Sequence, residues 1–114
     1  MQKKLAWTLL AIAISSSPAW AQSTFGTIVG TVSDETGAVI PNASVKIINI
    51  DENTARTVST DAGGDYDAVD LKAGHYAVEA SISGFKTTRV GDLELEARQT
   101  LRVNVTLAVG EMTQ

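Results

Sequence analysis

Four aspartates, Asp61, Asp65, Asp67 and Asp70, fall within ten residues and enclose the pair Gly63 and Gly64. Carboxylates crowded onto a tight loop are the raw material of a Ca²⁺ site, which takes about six to eight oxygens from Asp side chains and loop carbonyls. The spacing departs from the EF-hand pattern and lacks its closing glutamate. The competing reading is a solvated turn in which Asp and Gly serve the backbone. His75 is the single histidine. Zinc would need several further ligands around it, and a hydrolytic triad would need a nucleophile within its reach. Neither grouping is visible, so His75 reads as an exposed strand residue. Glu94 and Glu96 share an outer strand face about 7 Å apart, a spacing that glycosidase carboxylates also use, but no pocket is indicated there. No catalytic or cofactor-binding residue is expected. The four aspartates stand as the Ca²⁺ candidates.

The elements that would position these groups are short strands. In residues 75–82, Tyr76, Val78, Ala80 and Ile82 fall on one face and His75, Ala77, Glu79 and Ser81 on the other, the period of two that a strand imposes. Residues 23–33 place Ile28, Gly30 and Val32 together, and Gly30 within a strand marks a bulge or a close backbone approach. Residues 34–37 make a turn, and Pro41 holds Ile40 extended in a connector. Ala43, Val45 and Ile47 alternate inward, whereas Ile48 and Ile50 take the outward parity. Either the register shifts near Asn49 or these two cover a second surface. Residues 55–60 form a third strand with Val58 inward, and a short fourth strand starts at Tyr66. Residues 87–91 read as a weak link before a sixth strand carrying Leu93 and Leu95. Leu101, Val103, Val105 and Leu107 give the cleanest inward alternation, with Arg102, Asn104 and Thr106 facing water. Seven short strands separated by Gly, Asp and Asn turns predict an all-β, antiparallel sandwich.

The 114-residue chain opens on Lys3 and Lys4, continues through an apolar stretch over residues 5–14, and reaches Ala19, Trp20 and Ala21. This is the layout of a cleavable signal peptide over residues 1–21, too short in its apolar part to span a membrane. A linker over 22–25, a domain over 26–109 and a tail over 110–114 would follow. Without Lys3 and Lys4, seven of the nine Lys and Arg residues remain against thirteen Asp and Glu. That balance argues against nucleic acid and anionic lipid as partners. There is no cysteine, hence no disulfide and no lipid anchor on one. Both tryptophans lie in the leader, which leaves Phe25, Tyr66, Tyr76 and Phe85 as the aromatic set.

The run from Gly30 through Thr31, Val32, Asp34, Gly37, Ile40 and Ala43 to Val45 resembles the opening of carboxypeptidase regulatory-like domains. Asp61 to Tyr66 resembles that family's Asp-Gly-Tyr turn, and Leu71, Gly74, Tyr76, Val78, Gly84 and Phe85 its following segment. The resemblance implies a seven-stranded, prealbumin-like Greek-key sandwich that is accessory rather than catalytic. A leader followed directly by such a domain also resembles the N-terminal region of TonB-dependent outer-membrane receptors, where the module precedes a plug and a barrel. Two relatives of the fold perform chemistry. Hydroxyisourate hydrolases end in Tyr-Arg-Gly-Ser and use several His and Arg residues, whereas this chain ends Gly-Glu-Met-Thr-Gln and has one His. Pilin repeats form a Lys–Asn isopeptide from a first-strand lysine, and residues 25–33 contain none. The expectation is a non-enzymatic, exported envelope module of the periplasm or outer membrane. Its partners would be other envelope proteins or downstream plug and barrel domains. The alternative is a stand-alone periplasmic module binding carbohydrate or Ca²⁺.

Overall fold

A computed structural model describes residues 23–110; the expected leader, Gln22 of the linker and tail residues 111–114 lie outside the described residues. Every regular element there is a strand: β1 (Gly26–Asp34), β2 (Ser44–Asn49), β3 (Thr54–Ser59), β4 (Asp65–Leu71), β5 (Gly74–Ser81), β6 (Thr88–Leu95), β7 (Thr100–Arg102) and β8 (Val105–Leu107). One sheet runs β4-β1-β7, with β8 also on β1; the other runs β3-β2-β5-β6. The apolar faces of the two sheets meet in one core. Ile28 and Val32 from β1, Val45 and Ile47 from β2, Tyr66 and Ala68 from β4 and Tyr76 and Val78 from β5 form its centre, with Val105 and Leu107 from β8.

Period-two alternation predicts most of this core, and the exceptions have local causes. β2 pairs with β3 and β5 in unbroken register through Asn49, so no shift occurs there. Asn49 therefore points inward and is buried, and Ile48 and Ile50 belong to the outer face. Ala77 also has the outward parity, yet it is fully buried. Its short methyl sits on a central strand, opposite Ile48 of β2 and beside the register shift between β5 and β6.

The weak link expected over 87–91 is instead part of β6. Tyr76 pairs with Leu93 but Val78 with Val90, so three steps on β6 match two on β5. This is a β-bulge, and it brings Val90 and Leu93 to the same inner face although they are three apart. Asp92 takes φ +56° at the bulge. β4 uses the same device against β1, where Gly26 pairs with Leu71 and Ile28 with Ala68. Its left-handed residue is Asp70, φ +57°. Aspartate tolerates this conformation better than most side chains. Leu71 thereby ends β4 buried against the core.

Two expectations of the all-antiparallel, seven-stranded plan are corrected at the last strand. It pairs with β1 in parallel, and it is divided into β7 and β8, giving eight strands. The division has a specific cause. The Val103 carbonyl leaves the ladder to accept a hydrogen bond of 2.5 Å from the buried Tyr66 hydroxyl. Asn104 Oδ1 then accepts the Thr31 N–H at 3.0 Å in its place. The Tyr66 ring crosses β1 at Gly30 to do this. A Cβ on Gly30 would lie 1.8 Å from the Val103 oxygen and 2.8 Å from the ring, so only glycine fits. The inward alternation itself stands: Val103, Val105 and Leu107 are buried, and Leu101 packs against the core.

Burial pushes the Tyr66 hydroxyl up to about 12, with nearby Arg102 opposing. The neutral phenol is thus favoured by folding. Its contribution is fully present below the unfolded value of about 10 and is lost as pH rises through the folded value of about 12. Tyr66→Phe leaves the Val103 carbonyl buried without its donor, and the expected cost is about 1–3 kcal/mol in urea unfolding at neutral pH with the slope unchanged. In the same variant, the alkaline fall in melting temperature should be smaller than in the parent.

Candidate functional site

Parallel pairing of β1 with the last strand gives the sandwich two distinct poles. At the first lie the start of β1, the β2–β3 turn, the β4–β5 turn and the β6–β7 turn; at the second lie the β1–β2 connector, the β3–β4 loop and the β5–β6 loop. The first pole holds a cleft of about 280 Å³ between the edge strands β3 and β4. Ile47, Asn49 and Tyr76 line it from the core, and Phe25 and Arg56 from the rim.

Arg56 pairs with Ile47 and therefore carries its side chain on the inner face of an edge strand. From there its guanidinium donates to the Val69 carbonyl and, at 3.4 Å, to the Asp70 carbonyl, which staples β3 to β4. Inside, the Asn49 amide donates to the Tyr76 hydroxyl at 3.3 Å, and that hydroxyl donates to the Lys72 carbonyl at 2.6 Å. Asn49 Oδ1 accepts the Glu52 N–H at 3.0 Å. Burial raises the Tyr76 hydroxyl above its ordinary value, and the Asn49 bond opposes that. Lys72 and Glu52 form an ion pair of 3.0 Å at the mouth. The cleft thus offers a half-exposed aromatic ring and a cation, above an amide and a phenol already bonded within the fold. That set suits reversible binding of a small polar molecule. It provides no nucleophile with a base beside it.

The structure brings three of the four sequence-predicted aspartates, Asp61, Asp65 and Asp67, to one depression and sets Asp70 apart. Asp61 Oδ1 accepts N–H bonds from Gly63 at 2.9 Å and Asp65 at 3.0 Å, so it caps its own turn. Asp65 accepts the Thr31 hydroxyl at 2.5 Å. With Asp67 they border a shallow depression of about 350 Å³ that also contains Arg102. Asp70 sits at the bulge near the other pole. Among the described residues, no group of three or more His, Cys, Asp or Glu side chains is arranged to hold a metal ion. Glu94 and Glu96 are exposed, and Glu94 stands opposite His75 across β5 and β6.

His75 has a partner that sequence reading missed. Asp51 accepts its backbone N–H at 2.9 Å and lies 3.1 Å from its ring Nδ1. The signal is the β2–β5 register: continuing the pairing of Asn49 with Tyr76 by two steps brings Asp51 to Gly74, beside His75. The backbone bond, then the ring contact, hold the Asp51 carboxyl below its ordinary value of 3.8. At the opposite pole, Asp34 Oδ1 accepts the Thr36 hydroxyl at 2.6 Å and the N–H groups of Thr36 and Ala38 at 2.8 and 3.0 Å. These bonds, the hydroxyl first, lower its carboxyl too. Both contributions are fully present above the unfolded value of 3.8 and are lost as pH falls through the lowered folded values. Asp34→Asn and Asp51→Asn should each flatten the acid limb of melting temperature against pH. The double variant should show the sum, because the sites lie at opposite poles.

Comparison with known proteins gives the same architecture. The Bacillus anthracis TIE protein is 18% identical with a TM-score of 0.61, over 75% of this chain and 17% of that one. A putative carbohydrate binding protein from Bacteroides uniformis ATCC 8492 is 18% identical with a TM-score of 0.59, over 72% of this chain and 40% of that one. Catechol 1,2-dioxygenase of Acinetobacter radioresistens is 16% identical with a TM-score of 0.61, over 80% of this chain and 54% of that one. At such identities the likeness is one of fold, and this chain spans well under two thirds of each solved chain. No curated protein matches it in sequence. The sequence model described as carboxypeptidase regulatory-like domain matches residues 27–108, which takes in every strand but the first residue of β1, and the chain belongs to that family.

Proposed function

We propose that the chain is an exported, non-catalytic module of the cell envelope, a folded spacer or interaction domain of the kind that precedes the plug and barrel of a TonB-dependent receptor. The observation that carries this reading is where the polar side chains go. Asp34, Asp61, Thr60, Tyr66 and Asn104 all bond to backbone groups of the fold itself. Polar chemistry committed to turns and strand joins builds a rigid body rather than a reaction centre. Family membership and the modest share of each longer neighbour that the domain occupies support a module within larger assemblies. The basic start, the short apolar stretch and Ala19, Trp20 and Ala21 support export. In a bacterial host the full chain with a C-terminal reporter should appear in the envelope fraction with Gln22 as its first residue. Reporter retained in the cytoplasm on an uncleaved chain would sink the reading. DNA continuing past Gln114 into plug and barrel sequence would support the receptor context.

The cleft under Arg56 favours a second reading, a periplasmic carbohydrate-binding module. A neutral sugar could lie against Phe25 while Arg56 bonds its hydroxyls. In a melting assay over a panel of mono- and disaccharides, one sugar should raise the melting temperature of the parent and fail with Phe25→Ala. No shift with any sugar would leave the spacer reading alone.

A further inference from the structure

The first and last strands of the domain are hydrogen-bonded neighbours that run in the same direction. Thr27, Ile28 and Val29 pair with Thr100, Leu101 and Arg102, and Val32, Ser33 and Asp34 with Val105, Thr106 and Leu107. Each partner lies 73 positions further along the chain, so β7 and β8 keep one register despite the break between them. The Val103 N–H bonds the Val29 carbonyl at 2.7 Å, and the Thr27 N–H bonds the Gln99 carbonyl at 2.9 Å. Across the gap, Asn104 Oδ1 takes the Thr31 N–H. The ladder is therefore continuous along β1.

This arrangement fixes how the domain meets tension. The chain enters at one pole and leaves at the other, about 26 Å away along a strand of nine residues at roughly 3.3 Å per step. Pulling on the two ends drives β1 and β7–β8 in opposite directions along their shared ladder. All its bonds are then loaded together, in shear, and must fail together. Pulling from one pole would instead open them one after another. β1 is also held on its other edge by β4, and the Tyr66 hydroxyl ties β4 to Val103 across Gly30. The exit is clipped as well: the Lys86 N–H bonds the Ala108 carbonyl at 2.8 Å, and the Gly110 N–H bonds the Gly84 carbonyl at 3.0 Å.

We infer that the domain is a tension-resisting link, in which the parallel β1–β7/β8 ladder acts as a shear clamp between whatever is attached at its two poles. The inference deepens the spacer reading, but the clamp is a property of the fold and is tested without reference to location. Failure of export would sink the envelope reading and leave the clamp standing.

The test is single-molecule force spectroscopy on the full chain, whose lack of cysteine lets handles be placed at will. Thr24→Cys with a cysteine added after Gln114 loads the ladder in shear. Thr24→Cys with Ala97→Cys grips β1 and β7 at the same pole and peels them apart, and Thr24→Cys with Lys72→Cys peels β1 from β4. Positions 24, 72 and 97 are exposed, and melting curves matching the parent verify folding. Unfolding force at equal loading rate reports the barrier in each direction. The shear pair should require several-fold more force than either peeling pair. Equal forces in shear and peeling geometries would overturn the clamp.

Discussion

One contact organises the sandwich: the Tyr66 hydroxyl reaching over Gly30 to the Val103 carbonyl. A buried carbonyl without a donor costs free energy, so turning Val103 out of the ladder is tolerable only because the phenol meets it. That turn divides the last strand, and Asn104 repairs the ladder with a side-chain oxygen where a carbonyl would have been. Three strands are thereby joined through one ring. Gly30 is fixed by the same contact, since any Cβ would occupy the position of the Val103 oxygen. The glycine was legible in the sequence as a close backbone approach. What approaches it was not, because Tyr66 and Val103 lie 37 positions apart.

How far the fold could be read from sequence follows from where the period of two holds. β1, β2 and the last strand keep it, and their inward residues are those expected. It fails at Asp70 and Asp92, where an aspartate in left-handed conformation inserts one residue and moves the next apolar side chain from two steps to three. An Asp between apolar residues three apart is a faint signal, since it equally describes a loop. Parallel pairing of the last strand was not legible, because alternation says which face a residue takes and nothing about strand direction. The Asp51–His75 contact and the Arg56 staple share this character. Each depends on register between strands, which is set by the assembled sheets.

The polar residues that attract attention in the sequence mostly serve the backbone. Asp61 caps the loop in which it lies, and Asp34 does the same after β1. Thr60 donates to the Ile40 carbonyl at 2.7 Å and accepts the Ala43 N–H at 2.8 Å, tying the connector to the β3–β4 loop. A domain with no disulfide has to order its loops by such bonds. The motif residues of the family resemblance, Asp34, Gly37, Asp61 and Tyr66, are thus explained by turn geometry and one core contact. This is why a family match here carries the fold.

The sheet edges are protected by different means. β4 and β6 are bulged, and β7–β8 is broken at Asn104, devices that spoil an edge as a template for another chain. β3 alone among the edges has neither a bulge nor a break along its length. It is also the strand whose Arg56 turns inward and is tied to β4, so its inner face is closed by a charge. An inward charge on an edge strand opposes insertion of a second apolar face beneath it. Sheet extension along β3 is thereby disfavoured, and the open features of the fold lie at the poles. There the loops are ordered, the chain enters and leaves, and the cleft between Phe25 and Arg56 opens.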